Sequence, residues 1–155
     1  MKKLEMLINT IESKIAYATI LRPAISTSSV GWHIQHVLLT INQIINTIQQ
    51  SDPAQYKPKF TTAKLFIFTF KKIPRGKVQA PRSVRPAENF NVEDINTNLT
   101  NCYSLLKILP FLNENNFFEH PFFGHLNVKA SIKFLEIHTD HHLRIMLDIL
   151  KATNS

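Results

Sequence analysis

Glycine is scarce in this chain: three residues in 155, about 2% against roughly 7% in average usage. Tight β-turns draw on the positive-φ positions that glycine supplies, so the scarcity moves the expectation towards helices. One cysteine, Cys102, excludes an intramolecular disulfide framework and any zinc site built from cysteines. Charged side chains are also sparse, 19% against a norm of about 25%, which leaves Asn, Thr, Ser and Gln to carry much of the polar surface. No apolar run approaches the ~18 residues of a membrane span; the most apolar stretch is Leu65–Phe68, extended past Thr69 by Phe70. Met1-Lys2-Lys3 opens like a signal peptide, but Glu5 and Glu12 interrupt the apolar core such a peptide requires, so a cytoplasmic protein with no membrane partner is expected. Acidic residues are missing from one long stretch. Between Pro53 and Ala87 stand nine basic residues (Lys57, Lys59, Lys64, Lys71, Lys72, Arg75, Lys77, Arg82 and Arg85) and no acid. The net charge of +7 therefore belongs to one segment, since elsewhere nine basic residues face eleven acidic ones.

What is present is helical periodicity. With 44% apolar residues, 155 residues suffice for one domain, 1–155, with its own core. Leu4, Leu7/Ile8, Ile11, Ile15 and Ala18 recur at three- and four-residue steps until Arg22-Pro23 stops them. Val30, Ile34, Val37, Ile41, Ile44 and Ile48 alternate steps of four and three after a Ser28 or Ser29 cap. Val92, Ile95, Leu99, Cys102, Leu106 and Leu109 do the same after Asn91, and Pro110 ends the run. Asn127 caps a last helix. The spacing predicts four long helices at about 3–20, 28–50, 91–109 and 127–152. The fold class expected is all-α, a four-helix bundle with a long basic crossover between helices 2 and 3. Within the crossover, Thr61–Lys72 fits a short buried helix or a strand equally, and Lys71–Pro86 an extended surface crossing. A Phe-rich connection (Phe111, Phe117, Phe118, Phe122, Phe123) precedes the last helix.

Seven histidines are many for this length, and five fall in two groups: His33 and His36, then His138, His141 and His142. His138 and His142 are one helical turn apart on the face shared with Phe134, Leu135, Ile145 and Ile149, so they point into the bundle. Two adjacent buried imidazoles are costly without partners, and a shared divalent metal satisfies both; backbone carbonyls or water are the plainer alternative. A third ligand must come from another helix. Heptad arithmetic puts His33 beside the apolar seam of helix 2 and His36 further round, near Trp32 and Leu39.

Ser29-Val-Gly-Trp-His-Ile-Gln-His36-Val-Leu resembles the helix-2 signature of the DinB/YfiT-like superfamily, and His138-Thr-Asp-His-His142-Leu-Arg resembles its last-helix motif. The turn His120-Pro-Phe-Phe-Gly-His-Leu126 and the loop carrying Pro74-Arg-Gly76 and Ala80-Pro81 resemble one branch of that superfamily. The resemblance implies a DinB-like bundle with a divalent metal, zinc or nickel, held by His36, His138 and His142. Three imidazoles leave positions open for water or substrate, as expected of a catalytic site. His33 and His141 are extra histidines beside the two motifs, able to replace a ligand or to act behind one.

Among the other residues, His120 in the turn and His141 are candidate proton carriers, while His125 is expected exposed. Cys102 fits a core position, and Trp32 and the phenylalanines fit core or site wall. Asp140 and Arg144 point outward from the histidine pair. Three functions compete. The first, by resemblance, is metal-dependent thiol-cofactor transfer or hydrolysis on a small-molecule substrate, with the basic segment receiving the carboxylates of a low-molecular-weight thiol. The second is a metal-binding bundle without catalysis, a sensor or scaffold. The third is a nucleic-acid-binding module using the basic segment with Phe60, Phe66, Phe68 and Phe70; it is disfavoured, because those rings are expected to be buried. A low-charge, Phe-rich chain also leaves apolar surface to hide, so a homodimer is expected.

Overall fold

A computed structural model describes residues 1–76, 80–87 and 89–152. Among the described residues it has five α-helices and one two-stranded antiparallel sheet: α1 Lys2–Glu12, α2 Val30–Gln50, α3 Thr62–Phe70, α4 Val92–Leu106, β1 Phe117–His120, β2 Gly124–Asn127 and α5 Val128–Lys151. Lys77, one of the nine basic residues of the crossover, lies outside the described residues.

The central helix is α2. Its six seam residues are all buried, and so are Leu38, Ile45, Gln35, Thr40 and Asn42 away from that seam. Such all-round burial follows from its neighbours: α2 packs against both α4 and α5, while α1 lies on α5. The α4 seam is buried from Ile95 through Leu106, with Val92 half exposed at its start. Asn91 and Asp94 close a reciprocal capping box there, at 2.9 and 2.8 Å. Asn127 caps α5 by accepting from the Ala130 amide at 3.0 Å.

The first helix is shorter than its periodicity predicts. It ends at Glu12, and Ile15–Tyr17 forms a single 3₁₀ turn. The chain after it turns its carbonyls towards the start of α2. Ala18 O accepts from Gly31 N at 2.8 Å, and Ile20 O accepts from Val30 N at 2.9 Å. Ser29 Oγ takes the Trp32 amide at 3.2 Å. The free amides of the first α2 turn are thereby closed, and the turn itself is buried. Those carbonyls cannot serve a continuing first helix as well.

Two further differences concern the phenylalanines. The connection before α5 is a hairpin in which Phe118 faces Leu126, both buried, and Gly124 takes φ +67° at the turn. The hairpin reaches the crossover through His125, which is half-buried, not exposed: its ring stacks on Phe117 at 4.0 Å, and its Nδ1 accepts from Lys57 N at 3.1 Å. Thr61–Lys72 resolves as a helix capped by Thr61. It buries only Ile67 fully and leaves Phe66 and Phe70 in solvent, with Phe60 exposed just before it. For Phe60, Phe66 and Phe70 the expectation of burial is overturned, because α3 lies on the outside of α5 and turns only Ile67 and, in part, Phe68 inward.

Gly31 sits where a side chain has no room. A Cβ there would lie 2.8 Å from the Ala18 carbonyl oxygen and 3.0 Å from Ala18 Cβ. Gly31→Ala is expected to lower stability by about 1–3 kcal/mol, read as a shifted urea midpoint at unchanged slope; an unchanged midpoint would show that the loop yields freely.

Candidate metal centre

The buried first turns of α2 carry His33 and His36, and the middle of α5 carries His138, His141 and His142. Packing of α2 against α5 brings three of these together. One ligand atom from each of His36, His138 and His142 lies within 4.8 Å of the others. Their ring centroids form a near-equilateral triangle with sides of 4.6, 4.7 and 5.1 Å. No cysteine, aspartate or glutamate joins this set among the described residues.

Each ring nitrogen can be assigned from its partner. His36 Nδ1 lies 2.8 Å from the Val84 carbonyl, which only accepts, so Nδ1 carries the proton and Nε2 keeps a free lone pair. His142 Nδ1 lies 3.0 Å from His33 Nδ1, so one of the two carries a proton. His33 Nε2 is in turn 3.0 Å from Ser26 Oγ, which also accepts the Ser28 amide at 3.1 Å. The arrangement that frees His142 Nε2 runs His142 Nδ1–H to His33 Nδ1, then His33 Nε2–H to Ser26 Oγ. His138 Nδ1 is buried with no hydrogen-bond partner. A buried unpartnered nitrogen is costly, and a cation satisfies it.

Electrostatics agree with a neutral cluster. Burial pushes the pKa of His33 down to about 4 from its ordinary 6.5, with smaller contributions from His36, His141 and Arg75. Burial lowers His36 against the opposing Val84 hydrogen bond, and it holds His138 and His142 well below the usual range, assisted by neighbouring imidazoles. Neutral imidazole is the form that ligates a metal. The three donors could therefore hold a metal ion; donors bound tetrahedrally at about 2.1 Å lie ~3.4 Å apart, inside the 4.8 Å that encloses these.

The surroundings are aromatic and basic. Trp32 stacks on His36, with centroids 5.1 Å apart and planes at 24°, and it meets His33 edge-on. Phe134 contacts His138 at 5.7 Å. His141 is half-buried beside His142, with a hydrogen bond to the Ile73 backbone; burial and Arg75 lower its pKa while Asp140 opposes them. His120 stands on β1, stacked on Phe123 at 4.0 Å and edge-on to Phe134 at 4.8 Å, and burial lowers its pKa to about 4. Phe134 touches both His120 and His138. Cys102 is buried in the core on α4, where burial raises its thiol to about 12. Asp140 pairs with Arg144 at 2.9 Å, outside the cluster.

Ser26, Ile73 and Val84 carry no signal of this role in the sequence, whereas Arg75 belongs to the basic segment. Two of them act through backbone carbonyls, which any residue supplies. Arg75 pairs with Asp148 at 2.7 Å, near the C-terminal end of α5 beyond the histidines. No protein-family model, no curated protein and no solved structure matches the chain.

Histidines held neutral below their ordinary pKa take up protons more readily in the unfolded chain. Stability of the metal-free protein is thus full above pH 6.5 and falls as pH drops towards 4, the window set by His33 and His120. Urea titrations across this interval check it; equal stability at both ends contradicts the burial of neutral rings.

Proposed function

We propose that this chain is a divalent-metal-dependent enzyme of DinB-like type, a four-helix bundle with its ion held by His36, His138 and His142. The observation that carries the reading is the convergence of three buried imidazoles of lowered pKa, one with an unpartnered nitrogen. Zinc or nickel suits an all-imidazole donor set. When bound, such an ion supplies a Lewis acid with open positions, able to activate water or a thiol at neutral pH.

The chain's own residues divide the remaining work. Val84 and the pair Ser26–His33 fix the tautomers of His36 and His142, which orients both rings. Trp32 and Phe134 wall the cluster and keep bulk water out. His141 stands at the half-exposed edge with one nitrogen donating to the Ile73 carbonyl. Its other nitrogen keeps a lone pair and accepts the proton from the incoming nucleophile. His120 has Nδ1 occupied by the Phe122 amide at 3.2 Å, so its proton sits on Nε2 and it serves as a donor.

The substrate is a small molecule, and Arg75, near enough to His141 to lower its pKa while one guanidinium nitrogen pairs with Asp148, favours one with a carboxylate, as in a low-molecular-weight thiol. Thiol transfer and hydrolysis are the two reactions that this arrangement serves. Proton transfer at His141 is what separates such an enzyme from a bundle that only stores metal.

Metal analysis tests the centre. Wild type is expected to bind one zinc or nickel ion per chain, and His142→Ala to lose it. His33→Ala is expected to retain the site with metal affinity lower by about 10–100-fold. Full retention by His142→Ala would remove the proposal. A panel of thiol-transfer and amidase substrates then tests catalysis: His141→Gln is expected to keep metal and lose about 10²–10⁴-fold in kcat. Equal turnover by this variant would leave His141 without a role.

A further inference from the structure

Helix α3 presents a face for which the histidine cluster has no use. Ile67 points inward, and Phe68 rests on Phe123 with the Lys64 and Lys133 ammonium groups over its ring. On the opposite side Leu65, Phe66 and Phe70 are 56, 54 and 59% exposed, and Phe60 just before the helix is 76% exposed. At 100° per residue the outward arc also holds Thr62, Ala63 and Thr69, and it contains no charged residue. Phe66 and Phe70, one turn apart, touch at 4.6 Å between centroids.

Lysines bracket this face. Lys57 and Lys59 precede it, Lys71 and Lys72 follow it, and all four are exposed. Lys71 also rims a depression of about 390 Å³, together with Lys3, Lys129 and Lys133. Ile132 and Ile137 line that depression, and Glu136 is its single acid.

The charge pattern discriminates between occupants. A second copy docked through this face would set each bracketing lysine against like charges, since a two-fold contact is self-complementary. A nucleic acid needs charges and rings interleaved along one groove, whereas this arc offers only threonine hydroxyls and rings at neighbouring helix positions. A bilayer with anionic headgroups accepts both features. The rings enter the acyl boundary, and the lysines at the ends of the helix and around the depression meet the phosphates.

We infer that α3, with its flanking lysines and the four-lysine depression, is a peripheral docking surface for a bilayer containing anionic lipid. It needs no membrane span, and no helix of the described residues is long and apolar enough to make one. The inference does not rest on the metal reading.

Vesicle co-sedimentation of the full chain tests it, using phosphatidylcholine alone and an equal mixture with phosphatidylglycerol. Binding to the mixed vesicles only is expected, weakening as salt is raised. Phe66→Ser with Phe70→Ser, and separately Lys129→Ala with Lys133→Ala, are each expected to weaken it by about tenfold, at unchanged circular dichroism. In the difference spectrum against wild type, the emission of Phe66→Trp is expected to shift to the blue on adding mixed vesicles. No binding to anionic vesicles overturns the inference, as does binding indifferent to the Phe66/Phe70 pair. Two further results would also overturn it. One is dimerisation that buries the Phe66→Trp reporter without lipid; the other is oligonucleotide binding lost on the same substitutions in the absence of vesicle binding.

Discussion

Imidazole nitrogens taken out of water are costly without partners, and the histidine end of this molecule is organised by that cost, with His138 Nδ1 left unpartnered. His33, His36, His138 and His142 lie together with no carboxylate in the set, so none can be relieved by an opposite charge. Relief comes from neutral groups: the Val84 carbonyl, the Ser26 hydroxyl and the His33 ring itself. The crossover is therefore more than a link between α2 and α4. Its Arg82–Val84 turn must fold back onto α2 to bring Val84 O to His36, and the segment at Ile73 must reach His141.

A second constraint lies at the start of α2. Helix ends expose free amides, and a buried start is tolerated only when those amides are closed. Here the preceding loop closes them with Ala18 and Ile20, against a glycine with no side chain to hold the loop away. The same loop delivers Ser26 to His33. Backbone satisfaction and the hydrogen bond behind His142 are thus outcomes of one chain path.

Much of this was legible in the residue pattern, and the rest was not for identifiable reasons. Steps of three and four located α2 and α4, and the Asn127 cap located the start of α5, all to within about three residues. The spacing of His138 and His142 placed both rings on the inward side of α5, because such a helix has one face that must be buried. Periodicity misjudged the first helix, because Ile15 and Ala18 continue its stripe although their backbone serves α2. It also misjudged Phe66 and Phe70: apolar character implies burial for most such residues, but not on a helix that turns only Ile67 and part of Phe68 inward. The hairpin was hidden by Phe117 and Phe118, whose alternation is too short to distinguish from a loop. As for the cluster, heptad arithmetic favoured His33 and the resemblance favoured His36. The geometry agrees with the resemblance: His36 belongs to the triangle, and His33 stands behind His142.

The stacking of Trp32 on His36 has an optical consequence. Trp32 is the only tryptophan of the chain, so the intrinsic emission of the protein arises within van der Waals reach of the imidazole triangle. An ion with an unfilled d shell bound there would drain that excited state by electron or energy transfer, whereas closed-shell zinc has no such route. The molecule thus carries its own spectroscopic discriminator between the two kinds of ion, placed by the same ring that keeps water from His36.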